Sequence, residues 1–266
     1  MSFEVNPPPT DSVSRLQFSP QQDLLAVGSW DNQTRIYEIQ QNGSSTGKAI
    51  IQHEAPVLDV CWSTYWDLRS PTPAHTLQLP ERCYSIDVKN SLMVVATAER
   101  NVLIYNLNNP ASPHKTITSP LKWQTRVVSC FPDATGYALG SIEGRCAIEY
   151  VEDRDSSRKF TFKCHREQKN VFPVNDISFH PQYGTLATVG GNGGVNFWDK
   201  DARISLKAHP TAPGPVTSAS FNRNGTIFAY GVSYDWHKGH AHNQNSKISI
   251  TLLAVKDEDI KNRPRK

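Results

Sequence analysis

One spacing constrains this chain more than any other feature. Five times over, an apolar or thiol-bearing residue is followed eight positions later by an alanine. The pairs are Phe18/Ala26, Val88/Ala96, Cys130/Ala138, Phe179/Ala187 and Phe221/Ala229. Turn formers lie inside several of them: Ser19-Pro20, Pro132-Asp133, His180-Pro181 and the run from Asn222 to Gly225. After each alanine comes a second turn and then another strand-like stretch, at 34–39, 101–107, 146–151, 195–199 and 248–253. Val88 to Cys130 and Phe179 to Phe221 both span 42 positions. Short alternating strands recurring at that period read as small antiparallel sheets repeated along the chain. No sustained 3.6-residue apolar pattern argues for helices.

A period of about 40 to 45 residues with strands closing on Trp-Asp is the signature of the WD40 repeat, one four-stranded blade of a β-propeller. Trp198-Asp199 and Trp66-Asp67 match it literally, and Tyr37, Tyr105 and Tyr150 take the comparable aromatic place. A single blade cannot cover both faces of its own sheet, so blades pack face to face around a ring. The fold class expected is therefore all-β, a WD40 β-propeller.

The arithmetic breaks once. Trp62 follows Phe18 by 44 positions, but Val88 follows Trp62 by only 26. One blade would leave 16 residues missing and two blades 58. The inner-strand ending CWS runs at Ser63-Thr64 directly into YWDLRS, a WD-type ending. An internal segment is thus inferred to be absent, leaving five complete blades and one incomplete blade. The expected organisation is an N-terminal extension over 1–10, a propeller over 11–255 with the remnant at 53–70, and a basic flexible tail over 256–266. Phe3-Glu4-Val5 could add an outer strand to the last blade and latch the ring.

Composition narrows the function classes. With 28 Lys+Arg against 25 Asp+Glu, the net charge of +3 excludes a protein that coats polyanions wholesale. The most apolar stretch, 92–98 with Thr97 inside it, is far short of the roughly 20 residues that a membrane helix needs, so no membrane insertion is expected. The start MSFEVNPPPT lacks a basic segment followed by an apolar one, so a reducing, intracellular setting is expected. Five cysteines without a CxxC read as buried thiols. No phosphate loop, nucleophile elbow or HExxH occurs, and no cofactor is expected. Gly190-Gly191-Asn192-Gly193-Gly194 joins two strands and is a hairpin turn.

Longer stretches are more distinctive than the repeat. VGSWDNQTRIYEI (27–39), HEAPVLDVCWS (53–63), LQLPERCYSIDV (77–88), FHPQYGTLATVGGNGGVNFWDKDAR (179–203) and FNRNGTIFAYGVSYDWHKGH (221–240) resemble the WD40 messenger-RNA export factors of the nuclear pore, also called Gle-type propellers. The resemblance covers nearly the whole chain and implies a seven-bladed family pattern and a non-enzymatic scaffold. It implies binding of the GLEBS hairpin of a Phe-Gly nucleoporin, messenger ribonucleoprotein or single-stranded RNA as cargo, and residence at the nucleus and nuclear pore with cytoplasmic shuttling. A related spindle-checkpoint propeller, which binds GLEBS-like segments of checkpoint kinases, is the neighbouring alternative.

Candidate partner-binding residues are Lys163 and Arg166, with His165 between them, and Trp236 with Lys238 beside His237. Cations next to an exposed aromatic supply the charge and the stacking plane that a nucleic-acid strand requires. His237, His240 and His242 with Asp235 are better read as solvated than as a metal site. His53 and Asp31 belong to the buried network that rigidifies such blades, eroded here because Glu99, Glu143 and Asn192 replace the turn aspartate. Trp66, Asp67 and Arg69 match the WDxR ending of propellers that dock on ubiquitin-ligase adaptors, a weaker signal.

Overall fold

The computed structural model describes residues 2–40, 42–57, 59–60, 79–239, 242 and 248–263. The chain begins with β1 (Ser2–Glu4), and the first blade follows as β2 (Val13–Phe18), β3 (Leu24–Ser29), β4 (Gln33–Ile39) and β5 (Ser45–Gln52). The second is β6 (Cys83–Lys89), β7 (Leu92–Thr97), β8 (Asn101–Asn106) and β9 (Lys115–Thr118). The third is β10 (Thr125–Cys130), β11 (Gly136–Ser141), β12 (Arg145–Tyr150) and β13 (Phe160–Lys163). A small hairpin, β14 (Arg166–Glu167) and β15 (Asn170–Val171), leads to the fourth blade: β16 (Val174–Phe179), β17 (Leu186–Gly190), β18 (Val195–Asp199) and β19 (Ile204–Ala208). The fifth is β20 (Val216–Phe221), β21 (Ile227–Val232) and β22 (Ser249–Ala254), with β1 as its fourth strand.

The eight-position spacing has a simple structural cause. In four blades the first member closes the innermost strand and its alanine lies inside the second strand, where a small side chain lets the next sheet approach. In the second blade Val94, not Ala96, holds that register. The strands read from sequence as outer are the third strands. Outside each lies a fourth with mixed exposure, too short or too polar to show a period. Register also corrects the aromatic equivalence. Tyr37 pairs with Leu25 as Trp198 pairs with Leu186 and Tyr105 with Met93, but the same place is held by Glu149, not Tyr150, in the third blade.

Blades are joined by apolar clusters and by one recurring polar device. Small acceptors on an inner strand take backbone N–H groups from the next inner strand. Leu16 and Phe18 donate to Ser218 and Ser220 Oγ at 3.0 and 3.1 Å. Ala219 and Phe221 donate to Asp176 Oδ2 and Ser178 Oγ at 2.9 and 3.1 Å. Val128 and Cys130 donate to Ser85 Oγ and Asp87 Oδ2 at 3.0 and 2.6 Å. These amides face the axis of the ring, where no further strand exists to take them, so the side chains satisfy what would otherwise be buried orphans. The fifth blade thus packs directly on the first, with Val5, Leu16, Phe18, Tyr37, Ala229 and Leu252 in one shared core.

Between the first and second blades the pattern stops. Leu16 and Phe18 are 1% and 6% exposed, but the residues in register with them, Ile86 and Val88, are 42% and 40% exposed. The sequence arithmetic fell short at this place. Val57 and Asp59 hold to the first blade through Ser14 and Arg15, and Leu79 covers Met93, Val95, Leu103 and Tyr105 of the second. Trp62, Trp66, Asp67 and Arg69, and with them most of the remnant at 53–70, lie outside the described residues.

The C-terminal segment departs from the solvated tail expected of it. Residues Asp257–Ile260 form a helical turn, α1, whose Ile260 is fully buried against the fourth and fifth blades. Lys207 pairs with Asp259 at 3.3 Å, and the Arg263 amide donates to Asp199 Oδ2 at 3.0 Å. One apolar residue among charges was enough to anchor it. Among the described residues no helix is long and apolar enough to cross a membrane.

Candidate partner-binding face

Antiparallel order within a blade sends particular loops to one end. The start of each inner strand, the turn between second and third strands, and the end of the fourth must share one face of the ring. That face carries Trp30, Trp123, Ile142, Lys163, Arg166, Trp236 and Lys238, so all four described candidates from the sequence lie on it.

The aromatic part is built by the first and last blades. Trp236, in the loop after β21, stacks on Trp30, in the turn after β3, with centroids 4.8 Å apart. Tyr234 packs on Trp236 at 5.6 Å and takes the Lys238 amide on its hydroxyl at 3.1 Å. Trp236 has φ 61°, a left-handed backbone that costs a bulky side chain energy. Trp123, 60% exposed, stands on the link from β9 to β10.

A polar cluster underlies the loop. Asp235, buried, is hydrogen-bonded to His237 Nδ1 and to Asn175 Nδ2, the latter at 3.4 Å. Arg126 donates to the Asp235 carbonyl at 3.3 Å, and burial pulls its pKa down while the Asp235 charge opposes that. Arg126 and Asn175 occupy the same position on neighbouring inner strands, four before Cys130 and Phe179. Sequence reasoning missed Trp30, Trp123 and Arg126. Only their register, seen after folding, gathers them at one end. Asp235 and His237 bond to each other, and His242 Nδ1 contacts the Lys238 carbonyl at 3.0 Å. His240 lies outside the described residues, and no metal-ligating cluster occurs among those described.

The basic part is more engaged than expected. Lys163 is exposed at the end of β13. Arg166 donates through Nε to the Glu143 carbonyl at 2.9 Å and faces its carboxylate at 3.7 Å. His165 does not belong to the surface at all. It is fully buried, with Nε2 3.0 Å from Thr188 Oγ1 and Nδ1 2.9 Å from Asn192 Oδ1, while Trp198 Nε1 donates to the same Thr188 hydroxyl at 2.9 Å. Burial lowers the His165 pKa to about 4. The network read as eroded is therefore complete in the fourth blade, with Asn192 in place of aspartate. In the first blade it is reduced to Thr34 with His53 at 3.0 Å, and Asp31 instead holds Thr10 and Arg35.

The family model for the WD domain, G-beta repeat, matches residues 3–38 and 156–199. The chain is 43% identical to mRNA export factor GLE2 of Chaetomium thermophilum over 98% of this chain and 92% of that protein. It is 41% identical to the poly(A)+ RNA export protein of Schizosaccharomyces pombe, over 99% of this chain and 93% of the relative. This chain belongs to the Gle2/Rae1 family of WD40 mRNA export factors. Protein Rae1 of Drosophila melanogaster is a further Gle2/Rae1 relative, 41% identical over 96% of this chain and 94% of its own. The alignment with the Chaetomium Gle2 protein runs over 329 positions, more than the 266 residues of this chain, so the relative carries positions that this Gle2/Rae1 member lacks.

Proposed function

We propose that this chain is a non-enzymatic scaffold for mRNA export that holds a GLEBS-type nucleoporin hairpin on its loop-bearing face and ribonucleoprotein cargo, through single-stranded RNA, beside it. The carrying observation is the aromatic surface made by the half-buried stack of Trp30 and Trp236 and the exposed Trp123 at one end of the ring, with Lys163 and Lys238 exposed at the same end. Rigid aromatic planes give a partner large contact area at little entropic cost, and the lysines add a salt-screened attraction for phosphate. Work of this kind suits the nuclear pore, with shuttling to the cytoplasm. The relatives named for mRNA export support that assignment over a checkpoint role.

The test is binding of a purified GLEBS nucleoporin segment to the full chain by calorimetry. Submicromolar affinity, lost in Trp236→Ala, is the expected result. No binding to that segment by a chain that melts cooperatively would refute the reading.

A further inference from the structure

Among the described residues the outer edges of the ring are short, with one exception. β1 has three residues, β9 and β13 four and β19 five, whereas β5 has eight, seven of them exposed. Ile50 and Ile51 on it are 65% and 50% exposed. A long edge strand presents a row of backbone donors and acceptors to any strand that can align with it, which is why proteins keep such edges short or covered.

Register shows which groups are presented. His53 N–H donates to the Asn32 carbonyl at 2.8 Å, so the ladder alternation turns Ile51 and Ala49 inward toward Thr34 and Ile36. Ile50 and Gln52 therefore direct their N–H and C=O groups outward. Beside Ile50 lies a hollow of about 310 Å³ walled by Pro7, Ile36, Tyr37 and Ala49.

We propose that β5 pairs antiparallel with β5 of a second copy of this chain about a two-fold axis through Ile50. The sequence around that axis is self-complementary. Ile50 faces Ile50, Ile51 faces Ala49, and Gln52 faces Lys48, so apolar meets apolar at the centre. The two ammonium groups sit at opposite ends, each against a neutral amide. Lys48 already has its counter-charge in Glu38 at 2.7 Å. The bulge in β5 opposite Ile36 and Tyr37 bends the strand beyond Lys48, which ends the pairing there. The contact uses the rim of the ring and leaves the loop-bearing face of each copy open. A dimer would thus present two partner-binding faces and gain avidity for a partner with repeated sites.

Sedimentation velocity on the full chain between roughly 1 and 100 μM, a range that brackets a micromolar Kd, tests the proposal. A concentration-dependent dimer is expected, with Ile50→Lys shifting it to monomer at an unchanged melting temperature and Ile204→Lys on β19 leaving it intact. The register is tested separately with Ile50→Cys in a Cys83→Ser background. Hydrogen-bonded antiparallel partners stand about 5.5 Å apart at Cα, within disulfide reach, so mild oxidation should link position 50 to position 50. Thr46→Cys should not link in this way. A chain monomeric throughout the range, or a dimer indifferent to Ile50→Lys, overturns the proposal, as does equal cross-linking from position 46.

Discussion

The indoles of Trp30 and Trp236 stack with centroids 4.8 Å apart and planes 30° apart, tying a turn of the first blade to the loop of the last. The stack pairs the two blades that chain order separates most, and it does so at the end where a partner is proposed to bind. An offset aromatic pair adds about 0.5–1.5 kcal/mol beyond its buried area. Trp236→Ala is expected to cost about 1–2 kcal/mol in urea unfolding and at least roughly tenfold in affinity for the nucleoporin segment. Because φ at position 236 is 61°, Trp236→Gly should be less destabilising than Trp236→Ala. The reverse order would contradict the strained backbone.

The basic residues make a different prediction. Binding of single-stranded RNA should weaken as salt rises, and Lys163→Ala or Lys238→Ala should each reduce the slope of log affinity against log salt by about 0.7. A filter-binding series in which the slope is flat, or in which neither variant lowers it below that of the parent chain, counts against RNA contact at this face.

The N-terminal strand should matter for stability. Val5 is buried in the core shared by the first and fifth blades, its amide donates to Ile250 at 2.8 Å, and Tyr37 Oη donates to the Pro7 carbonyl at 2.7 Å. Removing residues 1–9 is expected to cost about 2–4 kcal/mol, the worth of one buried Val and the hydrogen bonds lost with it. Chemical denaturation of the truncated chain measures this, and an unchanged midpoint would show that β1 does not latch the ring.

Asp176 is buried and fully used. Oδ2 accepts from Ser218 Oγ at 2.6 Å and from the Ala219 amide at 2.9 Å, and Oδ1 accepts from the Ile177 amide at 2.9 Å and Arg15 Nη1 at 3.0 Å. Asp176→Ala strands two amides and the Ser218 hydroxyl near the axis and takes from Arg15 one of the carboxylates that face it. A loss of about 3–5 kcal/mol is expected in the same unfolding assay.

His165 predicts a pH dependence. Burial holds its pKa at about 4 in the folded chain, below its ordinary 6.5. Between those values the unfolded chain binds a proton that the folded chain refuses. Its contribution is therefore whole above pH 6.5 and erodes as pH falls toward 4, by up to about 1.4 kcal/mol per pH unit. The difference in stability between the chain and His165→Gln, measured from pH 7 to 4.5, should shrink with acid. A constant difference would mean that His165 is not held neutral.

The repeat was legible because it follows from local chemistry. A residue closing an inner strand, a tight turn and a small residue facing the next sheet must recur at fixed offsets, and the chain shows them at Phe18/Ala26 and Phe179/Ala187. The shortfall before Val88 was legible for the same reason, since a count needs no coordinates. What tertiary structure alone decided is everything that depends on which loops share an end and which side chains are covered. It gathered Trp30, Trp123 and Trp236 on one face, withdrew His165 from the surface into a buried network, and seated Ile260 under a segment whose charges suggested solvent. Burial is a property of neighbours distant in sequence, and spacing along one chain carries no record of them.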